Sequence, residues 1–300
     1  MLLYNLIEKC SYRDEFQANH EQCMDCSYGD CCPHNCQNCL QYVHYPDRAP
    51  ILRKYDCVHM ADCYYCKYAY TYASEIVYGL SNFPEMRCLD TLKIMSIGCG
   101  PCTELAAIDY LQQTGWFNYN KLQYIGIDPL ESVWKSIWKD IIEYFGTGIE
   151  FYSADVLQFI DDIVRQNWVP NVIVFQYVFS DMYKHSDENE IIEFIDKLAS
   201  FLNSYGDDSI YILCNDINLS KTRGGGREFF NILESKIDNP KYVKKLHFNN
   251  SKKLSHYEYG DEYNNNALIF DDIPNNIKNA YEPFESCASA QILIKKERRK

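Results

Sequence analysis

The chain has no apolar run approaching the roughly 18 to 20 residues that a membrane-spanning helix requires, so no membrane partner is expected. It lacks an excess of positive charge. With 29 Lys plus Arg against 42 Asp plus Glu, the formal charge is −13, which argues against wholesale attraction to nucleic acid or an anionic membrane. The opening Met-Leu-Leu-Tyr-Asn-Leu-Ile-Glu-Lys lacks the basic leader and long apolar core of a secretory signal, and the expectation is a cytoplasmic protein. There is no internal repeat and no Gly-Lys-Ser/Thr ending of a phosphate loop. What is present is a chain of 300 residues, 47% hydrophobic, long enough for one large domain and a smaller one.

Residues 92–104 read Leu-Lys-Ile-Met-Ser-Ile-Gly-Cys-Gly-Pro-Cys-Thr-Glu: an apolar run, a glycine pair at Gly98 and Gly100, and a helix start. Such a strand-to-helix turn lets a ligand approach the backbone. A dinucleotide fingerprint would put a third glycine at position 103, where this chain has Thr103. Downstream come Ile-Gly-Ile-Asp ending at Asp128, Tyr-Ser-Ala-Asp ending at Asp155, and an apolar strand from Asn171 to Gln176. In that order and at those distances, residues 91–300 resemble a class I S-adenosylmethionine-dependent methyltransferase.

The resemblance implies an α/β fold with a Rossmann-like, mostly parallel sheet and an antiparallel final strand. It also implies a cofactor site at Ser96, Gly98, Cys99, Gly100, Asp128, Pro129, Asp155, Val156 and Gln176. Gly98 and Gly100 would let the turn pass beneath the cofactor's amino-acid and ribose portions. Asp128 would accept both ribose hydroxyls. Asp155 matches the family's acceptor for the adenine amino group, with the Val156 N–H beside it, and Ile127, Pro129 and Leu157 are candidates to sandwich the ring. Two positions depart from the family: Ser96 stands where an acid is usual, and Cys102 replaces the third glycine of the loop.

Alternating apolar strands and amphipathic helices support a doubly wound sheet. Strands are predicted at Lys93–Ile97, Gln123–Asp128, Ile149–Ser153, Asn171–Gln176, Ser209–Cys214 and Ala288–Lys295, and helices at Thr103–Thr114, Glu131–Phe145 and Glu188–Leu202. The organisation read from composition is a Cys-rich metal-binding module with a linking helix over 1–90, then the methyltransferase domain over 91–300, with an insertion at 249–287. Tyr64, Tyr68, Tyr72 and Ile76 share one face of the linking helix, and that aromatic stripe reads as packing.

Ten of the fifteen cysteines fall in residues 1–66. Cys23-x2-Cys26 and Cys36-x2-Cys39 are paired knuckles, with Cys31, Cys32 and His34 between them and Cys57, His59, Cys63 and Cys66 following. That set suits two structural zinc ions sharing eight ligands, or an iron–sulfur cluster. The module is a candidate surface for a protein or nucleic-acid partner. So is the basic stretch of Lys241, Lys244, Lys245, Lys252, Lys253 and the terminal Lys-Lys-Glu-Arg-Arg-Lys.

In this fold the acceptor lies beyond the carboxyl ends of the strands. Tyr177 and Asp181 after the fourth strand, and Asp216 after the fifth, are the candidates for orienting or deprotonating it. The fourth strand lacks both the Asp/Asn-Pro-Pro-Tyr/Phe motif of exocyclic-amine and glutamine-amide methylation and the Pro-Cys nucleophile of cytosine C5 enzymes. Thr222-Arg223-Gly224-Gly225-Gly226-Arg227 reads as a flexible cationic turn suited to a phosphate or carboxylate, or as a mobile loop. The functional expectation is methyl transfer to an O or N acceptor. The alternative is a catalytically weak binding or assembly protein on the same fold, using the Cys-rich module for partner contact.

Overall fold

The computed structural model describes residues 1–19, 36–44, 53–156, 159, 168–204, 209–249 and 258–297. Eight strands are β1 (Thr91–Ile97), β2 (Lys121–Ile127), β3 (Ile149–Tyr152), β4 (Val172–Gln176), β5 (Ile210–Ile217), β6 (Pro240–His247), β7 (Asp261–Glu262) and β8 (Ser289–Lys296). They form one sheet in the order β3-β2-β1-β4-β5-β8-β6-β7. β1 to β5 are mutually parallel, and β8 runs antiparallel between β5 and β6. The mostly parallel sheet with an antiparallel final strand is therefore present. β4, β5 and β8 are buried nearly end to end, as strands covered on both faces must be.

The strand order reverses between β1 and β4, and the helices leaving those two strands lie on opposite faces. In sheets of this kind a ligand crevice is expected above those carboxyl ends. On one face lie α1 (Leu2–Asn19), α3 (Val58–Leu80), α4 (Thr103–Gln113) and α5 (Glu131–Phe145), sharing one apolar core. On the other lie α6 (Val178–His185), α7 (Glu188–Ser204) and α8 (Arg227–Lys236). α2 (Cys36–His44) and α9 (Asn275–Tyr281) pack on α3.

α3 is longer and more central than the predicted link. It carries alanines and tyrosines on almost every side and is buried around nearly its whole circumference, the mark of a helix inside a core. Packing therefore runs across position 90, where composition suggests a boundary. An ion network reinforces it: the Arg13 guanidinium of α1 donates to Asp62 of α3 at 2.7 and 2.9 Å and to Asp140 of α5 at 2.5 Å. Asp62 is 2% exposed, so removing the cation strands a buried carboxylate. Arg13→Ala is expected to lower stability by about 3 kcal/mol, read from the urea midpoint at constant slope.

Part of the 249–287 insertion lies within the described residues, and it docks on α3. Ile269 and Phe270 N–H groups donate to Ser74 Oγ at 2.9 and 3.3 Å, and Thr71 Oγ1 donates to the Phe284 carbonyl at 3.3 Å. β6 was not anticipated. Its lysines have partners on the protein: Lys241 with Glu297, Lys244 with Asn82, and Lys245 with Glu234. Lys252, Lys253 and the last three residues of the basic tail lie outside the described residues.

Candidate active site

The turn from β1 into α4 begins at Gly98, whose φ of +60° favours glycine and where a Cβ would meet Val178 at 2.8 Å. Cys102, at φ 58°, holds the left-handed position before α4 without a glycine. The turn is fixed from three sides. The Cys99 N–H donates to the Ile127 carbonyl at 3.0 Å, and Trp138 Nε1 donates to the Gly100 carbonyl at 2.8 Å. The Gly100 N–H donates to Asp128 Oδ2 at 2.9 Å. Asp128 Oδ1 accepts a second bond from the Leu130 N–H at 2.9 Å.

Those two backbone bonds use about half of the roughly four acceptor positions of a carboxylate, so Asp128 keeps capacity for two more donors. Burial pushes its pKa up to about 6 against the opposing pull of the Leu130 and Gly100 N–H groups. Trp134 Nε1 is buried without a well-formed hydrogen bond, close enough to Asp128 to favour its ionised form. Pro129 and Asp155 are exposed at the ends of β2 and β3, with Val156 beside Asp155, while Leu157 is outside the described residues. Gln176, at the end of β4, accepts from Thr103 Oγ1 at 2.5 Å and donates to the Tyr72 carbonyl at 2.8 Å, tying α3, α4 and β4 together.

Ser96 is buried, and its hydroxyl bonds Glu104, a residue that sequence reasoning missed. Glu104, 1% exposed, accepts from Tyr124 Oη at 2.5 Å. A carboxylate thus sits beside Ser96, supplied from the next helix. The only sequence signal is an acid in the first turn of α4.

At the other end of the crevice Tyr177 occupies a left-handed position (φ 59°) between β4 and α6. Its ring stacks on Tyr72 with centroids 4.2 Å apart, and its hydroxyl donates to Glu75 Oε2 at 2.8 Å. Glu75, fully buried, also accepts from Asn215 Nδ2 at 3.0 Å, the Ala288 N–H at 2.9 Å and the Ser289 N–H at 3.2 Å. Asp216 is fully buried too, and its oxygens accept the Ser180 N–H of α6 at 2.9 Å and the Ile217 N–H at 2.7 Å. It caps α6, and burial pushes its pKa up to about 6. Of the three candidates, Asp181 alone presents an accessible carboxylate, with its side chain 49% exposed and 3.8 Å from His185.

Rings line the space between these ends. Trp134, Tyr64, Tyr68, Tyr72 and Tyr177 follow one another with centroid separations of 5.5, 4.8, 5.4 and 4.2 Å. The tyrosine stripe of α3 therefore forms a wall of rings from Trp134, beside Asp128, to Tyr177 at the end of β4.

Two glycines of the cationic turn, Gly225 and Gly226, serve close packing. A Cβ on Gly226 would sit 2.4 Å from the Ser180 nitrogen and 2.6 Å from Asp216 Oδ2. Gly226→Ala is expected to break the α6 cap and cost about 2 to 3 kcal/mol, seen as a lower thermal midpoint.

Among the metal candidates, Cys23, Cys26, Cys31 and Cys32 lie outside the described residues. Cys36 and Cys63 converge with Asp14, and Cys57 touches Cys36. Cys39 is buried in α2. Cys66 is turned inward, its Sγ 3.9 Å from the Ile7 carbonyl.

No protein-family model and no curated protein matches the chain. Among solved structures it is similar to a precorrin-6y C5,15-methyltransferase from Geobacter metallireducens GS-15: 12% identity over 73% of this chain and 86% of that one, TM-score 0.40. It is also similar to the plantazolicin methyltransferase BpumL in complex with SAH, with 14% identity over 97% of this chain and 100% of that one, TM-score 0.44. A third is an amino pentose methyltransferase from Micromonospora echinaspora, 8% identical over 47% of this chain; the chain spans 50% of that protein, with TM-score 0.33.

Proposed function

We propose that the chain is an S-adenosylmethionine-dependent methyltransferase acting on an O or N acceptor. The observation that carries this reading is Asp128. It is a buried carboxylate at the carboxyl end of β2, next to the switch-point strand β1 of a doubly wound sheet, bonded to the Gly98–Cys102 turn and retaining acceptor capacity.

Asp128 would take the ribose hydroxyls, the Gly98–Cys102 turn would lie beneath the amino-acid portion, and Asp155 with the Val156 N–H would face the adenine. The cofactor, when bound, supplies an electrophilic methyl group. The chain's own contribution is positioning and exclusion of water: the ring wall of α3 covers one side, and Gln176 and Glu75 fix the turn and Tyr177 at the other. Asp181 would accept a proton from, or orient, an acceptor.

Isothermal titration of the full chain with S-adenosylmethionine and S-adenosylhomocysteine tests the reading. Micromolar binding is expected. Absence of binding to a folded sample would overturn it in favour of a binding or assembly role.

A further inference from the structure

We propose that Asp14, Cys36, Cys57 and Cys63 form a structural zinc site that staples α1, α2 and the start of α3. This is independent of the cofactor reading.

The donors come from four places in the chain: the body of α1, the first residue of α2, the residue that precedes α3, and the second turn of α3. Asp14, Cys36 and Cys63 have donor atoms within 4.8 Å of one another, with Cys63 Sγ 3.1 Å from Asp14 Oδ1. Cys36 is in side-chain contact with both Cys57 and Cys63. With Zn–S bonds of about 2.3 Å, neighbouring sulfurs of a tetrahedral site lie about 3.8 Å apart. Asp14, Cys36 and Cys63 are already close to that arrangement, and Cys57, which neighbours Cys36 but stands outside the group of three, supplies the fourth ligand by turning inward. All three cysteines are free thiols.

Packing alone does not account for this set. A core cysteine behaves as a small apolar group, whereas here two, Cys36 and Cys63, converge on a carboxylate, with Cys57 next to Cys36. That carboxylate is oriented from outside: Tyr281 Oη donates to Asp14 Oδ2 at 2.8 Å, leaving Oδ1 facing the thiols. Metal-bound carboxylates are commonly held in this way. Four protein donors fill a tetrahedral zinc and leave no open position, so the ion's role is structural.

What the staple would stabilise follows from the packing. His44, at the end of α2, lies 3.1 Å from Tyr55 Oη through Nε2, and its ring centroid is 5.3 Å from that of Tyr68. Fixing α2 to α3 therefore fixes His44 and Tyr55 against the ring wall of the crevice.

The test is zinc content per chain by plasma emission, on full-length protein purified with zinc and without chelator. Asp14→Asn, Cys36→Ser, Cys57→Ser and Cys63→Ser are each expected to carry one zinc fewer than the parent. Cys66→Ser and Cys88→Ser are expected to match the parent. Unchanged content in Asp14→Asn and Cys63→Ser would overturn the proposal, and so would loss of the same ion in Cys66→Ser. Should the cysteine variants not fold, cadmium-113 NMR of the cadmium-loaded parent decides. A resonance in the range of three sulfurs and one oxygen is expected, and spectra holding only four-sulfur sites, or no bound cadmium, would overturn the assignment.

Discussion

Glu75→Ala is expected to lower stability by about 4 kcal/mol, because the substitution leaves four donors buried at once and each such group costs about 1 to 3 kcal/mol, less than additively within one network. The donors are Tyr177 Oη, Asn215 Nδ2 and the N–H groups of Ala288 and Ser289, so one side chain of α3 joins β5, the entry to β8 and the turn after β4. Burial raises the pKa of Glu75, with the four donors pulling the other way. Glu75→Gln retains a carbonyl acceptor but points an amide at two existing donors, and its cost is expected near 1 to 2 kcal/mol, roughly the scale of a lost buried hydrogen bond. Urea unfolding of both variants, with Tyr177→Phe to complete a double-mutant cycle, checks this. Coupling between positions 75 and 177 indistinguishable from zero would refute the network.

This network explains why part of the site could not be read from sequence. The partners of Glu75 are 102 to 214 positions away, and nothing local in Tyr-Ala-Ser-Glu-Ile marks the acid as buried. Asp14 is equally silent, since it belongs to no cysteine or histidine pattern and becomes a candidate ligand only when α1 packs on α3. Asp216 shows the converse. An acid at the end of a strand beside a ligand crevice and one that caps a neighbouring helix look alike in sequence, and only the Ser180 N–H at 2.9 Å separates them.

The parallel strands were legible from short apolar runs such as Val172–Phe175 in β4 and Ile210–Cys214 in β5, which a fold covered on both faces requires. β6 was hidden for the opposite reason: Pro-Lys-Tyr-Val-Lys-Lys-Leu-His is mostly half-exposed near the sheet edge and carries three lysines. The glycine turn was legible as a turn, and its Gly100 N–H meets Asp128 directly at 2.9 Å. The ring wall was seen as a helical stripe, but that it borders the crevice depends on how α3 lies across α4 and α5.

Asp128→Ala is expected to weaken binding of S-adenosylhomocysteine by about 1.5 to 3 kcal/mol, the scale of hydrogen bonds to a charged group, or roughly 10- to 150-fold in Kd. The pH dependence gives a second reading of the same contact. Without ligand the folded-state pKa near 6 lies above the ordinary aspartate value. The group's contribution to stability is therefore full below about pH 4 and is lost as pH rises through 6. Ribose hydroxyls donate to the ionised form, so binding runs the other way: it is strong above pH 6 and falls as the carboxylate takes up a proton. Affinity at pH 5 is expected to be about tenfold below that at pH 7, and Asp128→Asn should flatten the profile while remaining weak throughout. Titration calorimetry at the two pH values checks both. A parent protein with the same affinity at pH 5 and pH 7, or an Asp128→Asn variant that keeps the parent's slope, would move the ribose contact away from Asp128.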